Sequence, residues 1–414
     1  MKFKCLIAAL FFSGIGLAQQ HLTLKDCDDA LQQNNLQLLA QQFNISAVKA
    51  GIIQARIWEQ PVVTADVNAY NPEAKRYFDV GTHGQKFFSI EQLIYLGGKK
   101  RNEINFAKTN AEIAGLQFEE LLFNLKDQLH RSFYTVYFDN KKIAAIELQI
   151  SQIESLLRSY ELQSEKGNIP LRDVVRLQSL MLNLKNDRIE ILRNNTSERQ
   201  NLNLLTGIDG NITPSVNEKE TIGLFKTEKF KKDELLALAK EKNPEFLIAQ
   251  KNIEAQQIAV KYQKSLSVPD FTAGLAYDQF SGAFRDQVNV TLAVPLPLWN
   301  KNKGNIKIAQ AQLGETKANA EYQSNALKSD IEAAYSIWKT QQTDVENLKE
   351  SVAINLELVY KGVLNNFQSR NISLFEFTDF MESYNQSNLQ INELHKQLIL
   401  SGETLNHITN TILF

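Results

Sequence analysis

Gly167-Asn168-Ile169-Pro170-Leu171-Arg172-Asp173-Val174 and Arg370-Asn371-Ile372-Ser373-Leu374-Phe375-Glu376-Phe377 are one joint written twice, 203 residues apart. Asn-Ile-x-Leu-x-acid-apolar coincides in the two copies. Each copy follows a long proline-free stretch and precedes a shorter one. Proline removes a backbone donor and clashes inside a helix, at about 3 kcal/mol, so stretches without it can be long helices. Each joint therefore predicts the tip of a helical hairpin, with the acid one turn into the returning helix.

Outward from the first tip, Gly98 to Lys166 contains Gly115 as its only internal glycine. A helix of that length is on the order of 100 Å at 1.5 Å per residue. Ile146, Ile150, Ile153, Leu157 and Tyr160 step by four and three, and Leu171, Val174, Leu177, Met181 and Leu184 continue the rhythm past the tip. Ile331, Tyr335 and Trp338, then Val345, Val352, Leu356, Val359 and Val363, predict the comparable seam of the second copy. Such a repeat buries one face against a neighbouring helix.

Between the helices the period changes to two. Val288, Val290, Leu292 and Val294 alternate with Gln287, Asn289, Thr291 and Ala293; Phe271, Ala273, Leu275 and Tyr277 alternate with Asp270, Thr272, Gly274 and Ala276. The pattern predicts strands at about 61–70, 86–96, 269–278 and 285–296, joined by turn-rich loops that include Ser281 and Gly282. Each is about ten residues long, enough to cross a bilayer when tilted. Four strands cannot close a barrel, since the smallest membrane barrels need about eight, and an open edge in lipid leaves backbone groups unpaired. If these strands meet lipid, several copies must share one wall. The alternative is a soluble secreted scaffold with the hairpins as a cap.

A second register supports duplication. Offset by 208, Asn34–Ala65 aligns without gaps on Lys242–Ala273, with nine identities, among them Asn35/Asn243, Pro61/Pro269 and Thr64/Thr272; chance gives about two. The expected organisation is a signal sequence at 1–18, a first repeat at 19–206, a linker at 207–232 and a second repeat at 233–414. The first repeat carries a long helix 98–166, tip 167–171 and a return helix to 206. The second carries helix 233–268, long helix 303–369, tip 370–374 and a return helix to about 411.

The N-terminus has secretory anatomy: Lys2 and Lys4, an apolar Cys5–Phe12, then small residues to Ala18. Without Lys2 and Lys4 the 45 basic residues become 43 against 47 acidic ones, a net charge of −4. That argues against nucleic acid, which favours concentrated positive charge. Cys27 would then stand alone, so no disulfide within the chain and no cysteine-rich metal site is expected. His21, His83, His130, His395 and His407 show no His-x₃-His spacing and no neighbouring acid cluster. No phosphate loop or Gly-x-Ser-x-Gly is present, and Gly97-Gly98 lacks the third glycine of a dinucleotide turn, so no enzyme activity and no cofactor are expected.

Several stretches carry a family resemblance: Asn243-Pro244-Glu245, the strand-opening Pro61 and Pro269, Leu96-Gly97-Gly98-Lys99-Lys100-Arg101, and Pro295-Leu296-Pro297-Leu298-Trp299-Asn300-Lys301-Asn302-Lys303-Gly304-Asn305-Ile306. Their order and spacing resemble the TolC-type outer-membrane efflux factors, and the last stretch is similar to the cobalt–zinc–cadmium branch. The resemblance implies a mostly α fold with a small β part: helical hairpins in a periplasmic α-barrel, and four transmembrane strands per chain in a twelve-strand barrel shared by a homotrimer. It implies an outer-membrane exit duct extending into the periplasm of a Gram-negative cell. Its partners would be a periplasmic adaptor and a proton-driven inner-membrane pump, its substrates heavy-metal cations, with drugs or secreted protein as the alternative. In the resemblance Glu376, Asp379 and Asp173 narrow the periplasmic aperture, while Arg176 stands at the second acidic position of the first repeat. Gly167, Asn168, Ile169, Pro170 and Leu171, with Arg370, Asn371, Ile372, Ser373 and Leu374, are the adaptor-docking tips. Where some members carry a locking arginine this chain has Ile372. Tyr95, Lys99, Lys100, Arg101, Trp299, Lys301 and Lys303 mark the membrane interface, where long bases and aromatics anchor at the headgroups. Read without the family, Glu376 and Asp379 are solvated acids beside a helix N-terminus.

Overall fold

The computed structural model of the chain describes residues 20–280, 283–299, 301–348 and 350–414. The expected signal sequence and the turn residues Ser281 and Gly282 lie outside the described residues. In chain order the elements are β1 (Gln20–Leu22), α1 (Leu24–Asn34), α2 (Leu36–Arg56), β2 (Val62–Val67), β3 (Tyr70–Asn71), β4 (Arg76–Tyr77), β5 (Gln85–Ile94), α3 (Lys99–Glu165) and α4 (Leu171–Thr206). There follow β6 (Ile212–Pro214), α5 (Glu218–Lys226), α6 (Lys232–Lys242), α7 (Pro244–Ser265), β7 (Phe271–Phe280), β8 (Phe284–Ala293), α8 (Lys303–Asn347), α9 (Glu350–Gln368) and α10 (Leu374–Thr409). No helix among the described residues is long and apolar enough to cross a membrane.

The chain folds as two compact units, each drawing on both halves of the sequence. Unit 1 holds the residues up to Leu38, Leu121–Lys242 and Lys328–Phe414; unit 2 holds Leu39–Glu120 and Asn243–Leu327. In unit 1 the stripes of two hairpins form one core. Ile146, Ile150 and Ile153 of α3 and Leu177, Met181 and Leu184 of α4 meet Tyr360 and Phe367 of α9 and Phe377 and Met381 of α10. Phe367 and Phe377 stack with centroids 4.1 Å apart. Each fully buried side chain of this size stabilises by roughly 1.5–3 kcal/mol. Nearer the chain ends, Trp338 donates its indole N–H to the Phe225 carbonyl at 3.0 Å, and Phe225 stacks on Phe414 at 5.0 Å.

Four boundaries differ from the sequence expectation, and three have visible causes. The proline-free stretch 21–60, which can be one long helix, is divided at Asn35, whose side-chain oxygen accepts from Gln37 N at 2.9 Å and Leu38 N at 3.2 Å, capping α2. Its amide donates to the Leu205 carbonyl at 3.1 Å. The helix expected over 233–268 is divided at the equivalent Asn243, which accepts from Phe246 N at 3.0 Å ahead of Pro244. The stretch 207–232 is no plain linker: β6 pairs in parallel with β1, and α5 follows. The long helix expected over 303–369 is interrupted between Asn347 and Glu350. No proline or glycine marks that break. Beyond it Leu356 and Val363 of the expected seam pack against the core, whereas Val352 and Val359 are exposed and Tyr360 and Phe367 are buried in addition.

In unit 2, β2, β5, β7 and β8 form one antiparallel sheet in the order β2-β5-β7-β8. The loop above β2 carries the short hairpin β3–β4. The register sorts side chains by face. Val63 faces Ile90, Ile90 faces Leu275, and Leu275 faces Val290, an apolar row across all four strands. The row beside it on the opposite face reads Thr64, Ser89, Ala276 and Asn289. The chain does not cover the apolar row: Val63, Ile90, Leu275 and Val290 are 70%, 49%, 54% and 82% exposed.

Candidate functional site: hairpin tips and strand–helix joints

Both hairpin tips close by the same hydrogen bonds. At the first, Gly167 N donates to the Ser164 carbonyl and Asn168 N to the Gln163 carbonyl, both at 2.9 Å. At the second, Arg370 N donates to the Phe367 carbonyl at 3.0 Å and Asn371 N to the Asn366 carbonyl at 2.8 Å. This 5→2, 6→1 pair is the Schellman motif, which sets the C′ residue in the left-handed region. Gly167 adopts it at φ +74°, and Arg370, with a Cβ, at φ +60°.

The returning helices start differently. Ser373 accepts from Glu376 N at 3.2 Å, and the Glu376 carboxylate accepts from both Ser373 N and Ser373 Oγ at 2.8 Å, a complete capping box. The hydrogen bonds from the Ser373 backbone and hydroxyl hold the Glu376 carboxyl below its usual range. Asp379, one turn further, is exposed. In the first tip Pro170 caps without a side-chain bond, and Asp173 lies with Arg172 Nε at 3.4 Å. Arg176 stacks on the Phe375 ring at 4.5 Å from its centroid, so the two tips touch through a cation–π contact. Leu171 and Phe375 are exposed beside it, whereas Ile372 and Leu374 pack against the core.

The residues expected at the membrane interface divide in two. Lys99 is buried: its ammonium meets the Asp270 carboxylate and the Val268 carbonyl, each at 2.7 Å. It serves the joint between β5 and β7 instead of facing outward. Tyr95 donates to Glu59 at 3.2 Å and lies 5.9 Å from Trp58, with Lys100 5.7 Å above its ring. Lys100 also pairs with Glu103 at 2.9 Å. Arg101, Trp299, Lys301 and Lys303 are exposed.

No histidine has an acid cluster beside it in the sequence, but the fold brings distant carboxylates to one of them. His130 sits between two carboxylates, Nδ1 at 2.9 Å from Glu403 and Nε2 at 3.2 Å from Asp28, joining α1, α3 and α10. Burial opposes its charge, but the hydrogen bonds and charges of Asp28 and Glu403 outweigh it and push the pKa up to about 10. Nearby in unit 1, Glu218 accepts from Lys141, from Tyr137 at 3.1 Å and from His395 at 3.2 Å. Burial raises its pKa and these donors lower it further, down to about 2. His130's partners are 102 and 273 residues away, so no local spacing announced them. Among the described residues no three His, Cys, Asp or Glu side chains are arranged to hold a metal ion.

A model of the family described as outer membrane efflux protein matches residues 28–210 and 235–411. The chain is 23% identical over 395 residues to the cobalt-zinc-cadmium resistance protein CzcC of Cupriavidus metallidurans, covering 94% of this chain and 90% of that protein. Its fold matches a crystallised membrane protein from Pseudomonas aeruginosa with a TM-score of 0.75 at 14% identity, over 93% of this chain and 92% of that one. It matches CusC with a TM-score of 0.74 at 13% identity, over 97% and 96%. The chain therefore belongs to the outer membrane efflux protein family, the TolC-like channels of the outer membrane.

Proposed function

We propose that this chain is one third of a homotrimeric exit duct, and that each copy is a tandem repeat contributing four strands to a twelve-strand barrel in the outer membrane. The observation that carries the reading is the uncovered apolar row Val63–Ile90–Leu275–Val290 set against a polar opposite face. A two-faced sheet of this kind suits lipid on one side and a water-filled lumen on the other. Closing both edges with further copies removes the unpaired backbone groups that lipid does not tolerate. The helical hairpins form the periplasmic part, with the tips at 167–171 and 370–374 docking on a periplasmic adaptor that delivers substrate from a proton-driven inner-membrane pump. The duct conducts passively. Likeness to the cobalt-zinc-cadmium resistance protein supports heavy-metal cations as substrates.

At the mouth, Glu376, Asp379 and Asp173 from three copies form rings of negative charge, which favour cations. Protein extracted from outer membrane by detergent is expected to have three times the mature chain mass by light scattering; a monomer of constant mass overturns the reading. A Glu376→Gln, Asp379→Asn variant in planar bilayers is expected to lose cation preference, and unchanged selectivity removes the acids from that role. Deleting the gene is expected to lower tolerance to cobalt, zinc or cadmium salts; lowered tolerance to hydrophobic drugs alone would reassign the cargo.

A further inference from the structure

Inside one chain, the segment leaving β5 seats on the segment entering β7. Leu96 N donates to the Asp270 carboxylate at 2.8 Å, and Lys99 binds Asp270 and the Val268 carbonyl. Gly97 lies so close to Val268 that an added Cβ would stand 2.9 Å from the Val268 Cβ. This joint fastens two adjacent antiparallel strands just below the sheet.

Among the described residues, the segment leaving β8 shows no such seat in its own chain. Leu296 and Leu298 are exposed and Trp299 is 92% exposed, on a run stiffened by Pro295 and Pro297. Asn302 ties the segment to a helix of its own chain, its amide donating to the Gln263 carbonyl at 2.7 Å. An exposed apolar cluster of this size marks an interaction surface. The segment entering β2 is a seat without an occupant. A groove of ≈ 790 Å³ runs there, walled by Ile57 and Trp58 before β2 and Val62 at its start, by Tyr95 and the charged Lys100 and Glu103 after β5, and reaching the Lys99–Asp270 pair. The 208-residue offset makes Ile57 and Val62 the counterparts of Ser265 and Asp270, which frame the filled seat.

Strand direction brings the two together. β2, β5, β7 and β8 alternate in direction, so β2 begins and β8 ends at the same end of the sheet, on its two opposite edges. If β8 of one copy pairs antiparallel with β2 of the next, its exit passes the neighbour's groove at the strand spacing of about 4.8 Å. We infer that Leu296, Leu298 and Trp299 of one copy seat in the Ile57–Trp58–Val62–Tyr95 groove of the next copy, repeating between chains the joint that Leu96–Lys99 makes within one. The inference rests on the shared-barrel reading. The two seats differ at one position: Asp270, which accepts from Leu96 N and pairs with Lys99 in the internal seat, has Val62 as its counterpart in the open one.

The test is cysteine cross-linking in outer-membrane vesicles with a short bis-maleimide, using the pairs Trp58→Cys/Trp299→Cys and Ile57→Cys/Leu298→Cys. Covalent dimers and trimers on denaturing gels are expected from at least one double variant, with each single variant remaining a monomer band. Trimers by light scattering with no cross-link in either pair overturn the clasp and leave the duct reading intact. Monomers by light scattering overturn both. Quenching of Trp299 fluorescence by brominated acyl lipids, measured as the difference from Trp299→Phe, would place that side chain in lipid and also overturn the clasp.

Discussion

Arg370 carries the cost of a left-handed backbone that Gly167 adopts freely in the matching tip. A non-glycine residue there costs roughly 1–2 kcal/mol. Arg370→Gly is therefore expected to stabilise unit 1 by about 1 kcal/mol, and Gly167→Ala to destabilise it by a similar amount, read as opposite shifts of the denaturant midpoint. His130 is the other residue whose environment sets a measurable consequence. Removing it leaves two carboxylates facing each other, Glu403 almost fully buried. Breaking a buried pair of this kind costs about 3–5 kcal/mol, so His130→Gln should lower unit 1 stability by that order near pH 7. The raised pKa means that the imidazolium's contribution is complete below about pH 6.5 and is lost as pH rises through about 10. The gap between parent and His130→Gln is expected to narrow from pH 7 to pH 10; a constant gap would show that the charge contributes nothing.

At the scale of elements, the joint between β5 and α3 depends on close backbone approach. Gly97 combines φ +68° with the Val268 contact, so a side chain there is strained on both counts. Gly97→Ala is expected to cost about 2 kcal/mol or more and to loosen the pairing of β5 with β7, seen as faster amide exchange in both strands. In unit 1 the two hairpins share one core: Phe377 is fully buried against Phe367 of its own hairpin, and Phe367 stacks on Tyr160 of the other at 6.2 Å. Phe377→Ala is expected to destabilise by about 3–5 kcal/mol through the cavity it leaves. If α9 and α10 packed independently of α3 and α4, exchange protection around Ile146–Ile153 would not respond to that change, and the shared core would be wrong.

At the scale of the molecule, unit 1 holds two partly buried carboxylates tied to several donors each. Glu218, held by Lys141, Tyr137 and His395, has its pKa lowered to about 2, and Glu393, held by Lys142, Gln397 and Lys396, likewise to about 2, in each case against the opposing effect of burial. A depressed carboxylate contributes stability above its unfolded pKa of about 4.3 and loses it as pH falls toward 2. With His130 titrating at the alkaline end, unit 1 should be most stable between about pH 5 and pH 7 and weaken in both directions. Calorimetry across that range is the check, and a stability maximum outside it would contradict these assignments.

Which features were legible in the sequence follows from the range of the forces involved. The hairpin tips, the proline-free helices and the period-two strands are local: glycine, proline and alternation act within a few residues, and they appear at Gly167, Asn371 and Val288–Leu292 in the sequence itself. Burial of Ile146, Ile150 and Ile153 follows from helical spacing alone. Other features depend on partners far along the chain. His130 gains its charge from Asp28 and Glu403, Lys99 is drawn inward by Asp270, and Tyr360 and Phe367 join the core beside Leu356 and Val363 while Val359 stays exposed. Short-range propensity and periodicity were thus fixed by the order of residues, whereas pairing of charges and the choice of buried face required the chain to bring distant segments within a few ångströms, where desolvation and Coulomb forces become strong enough to decide.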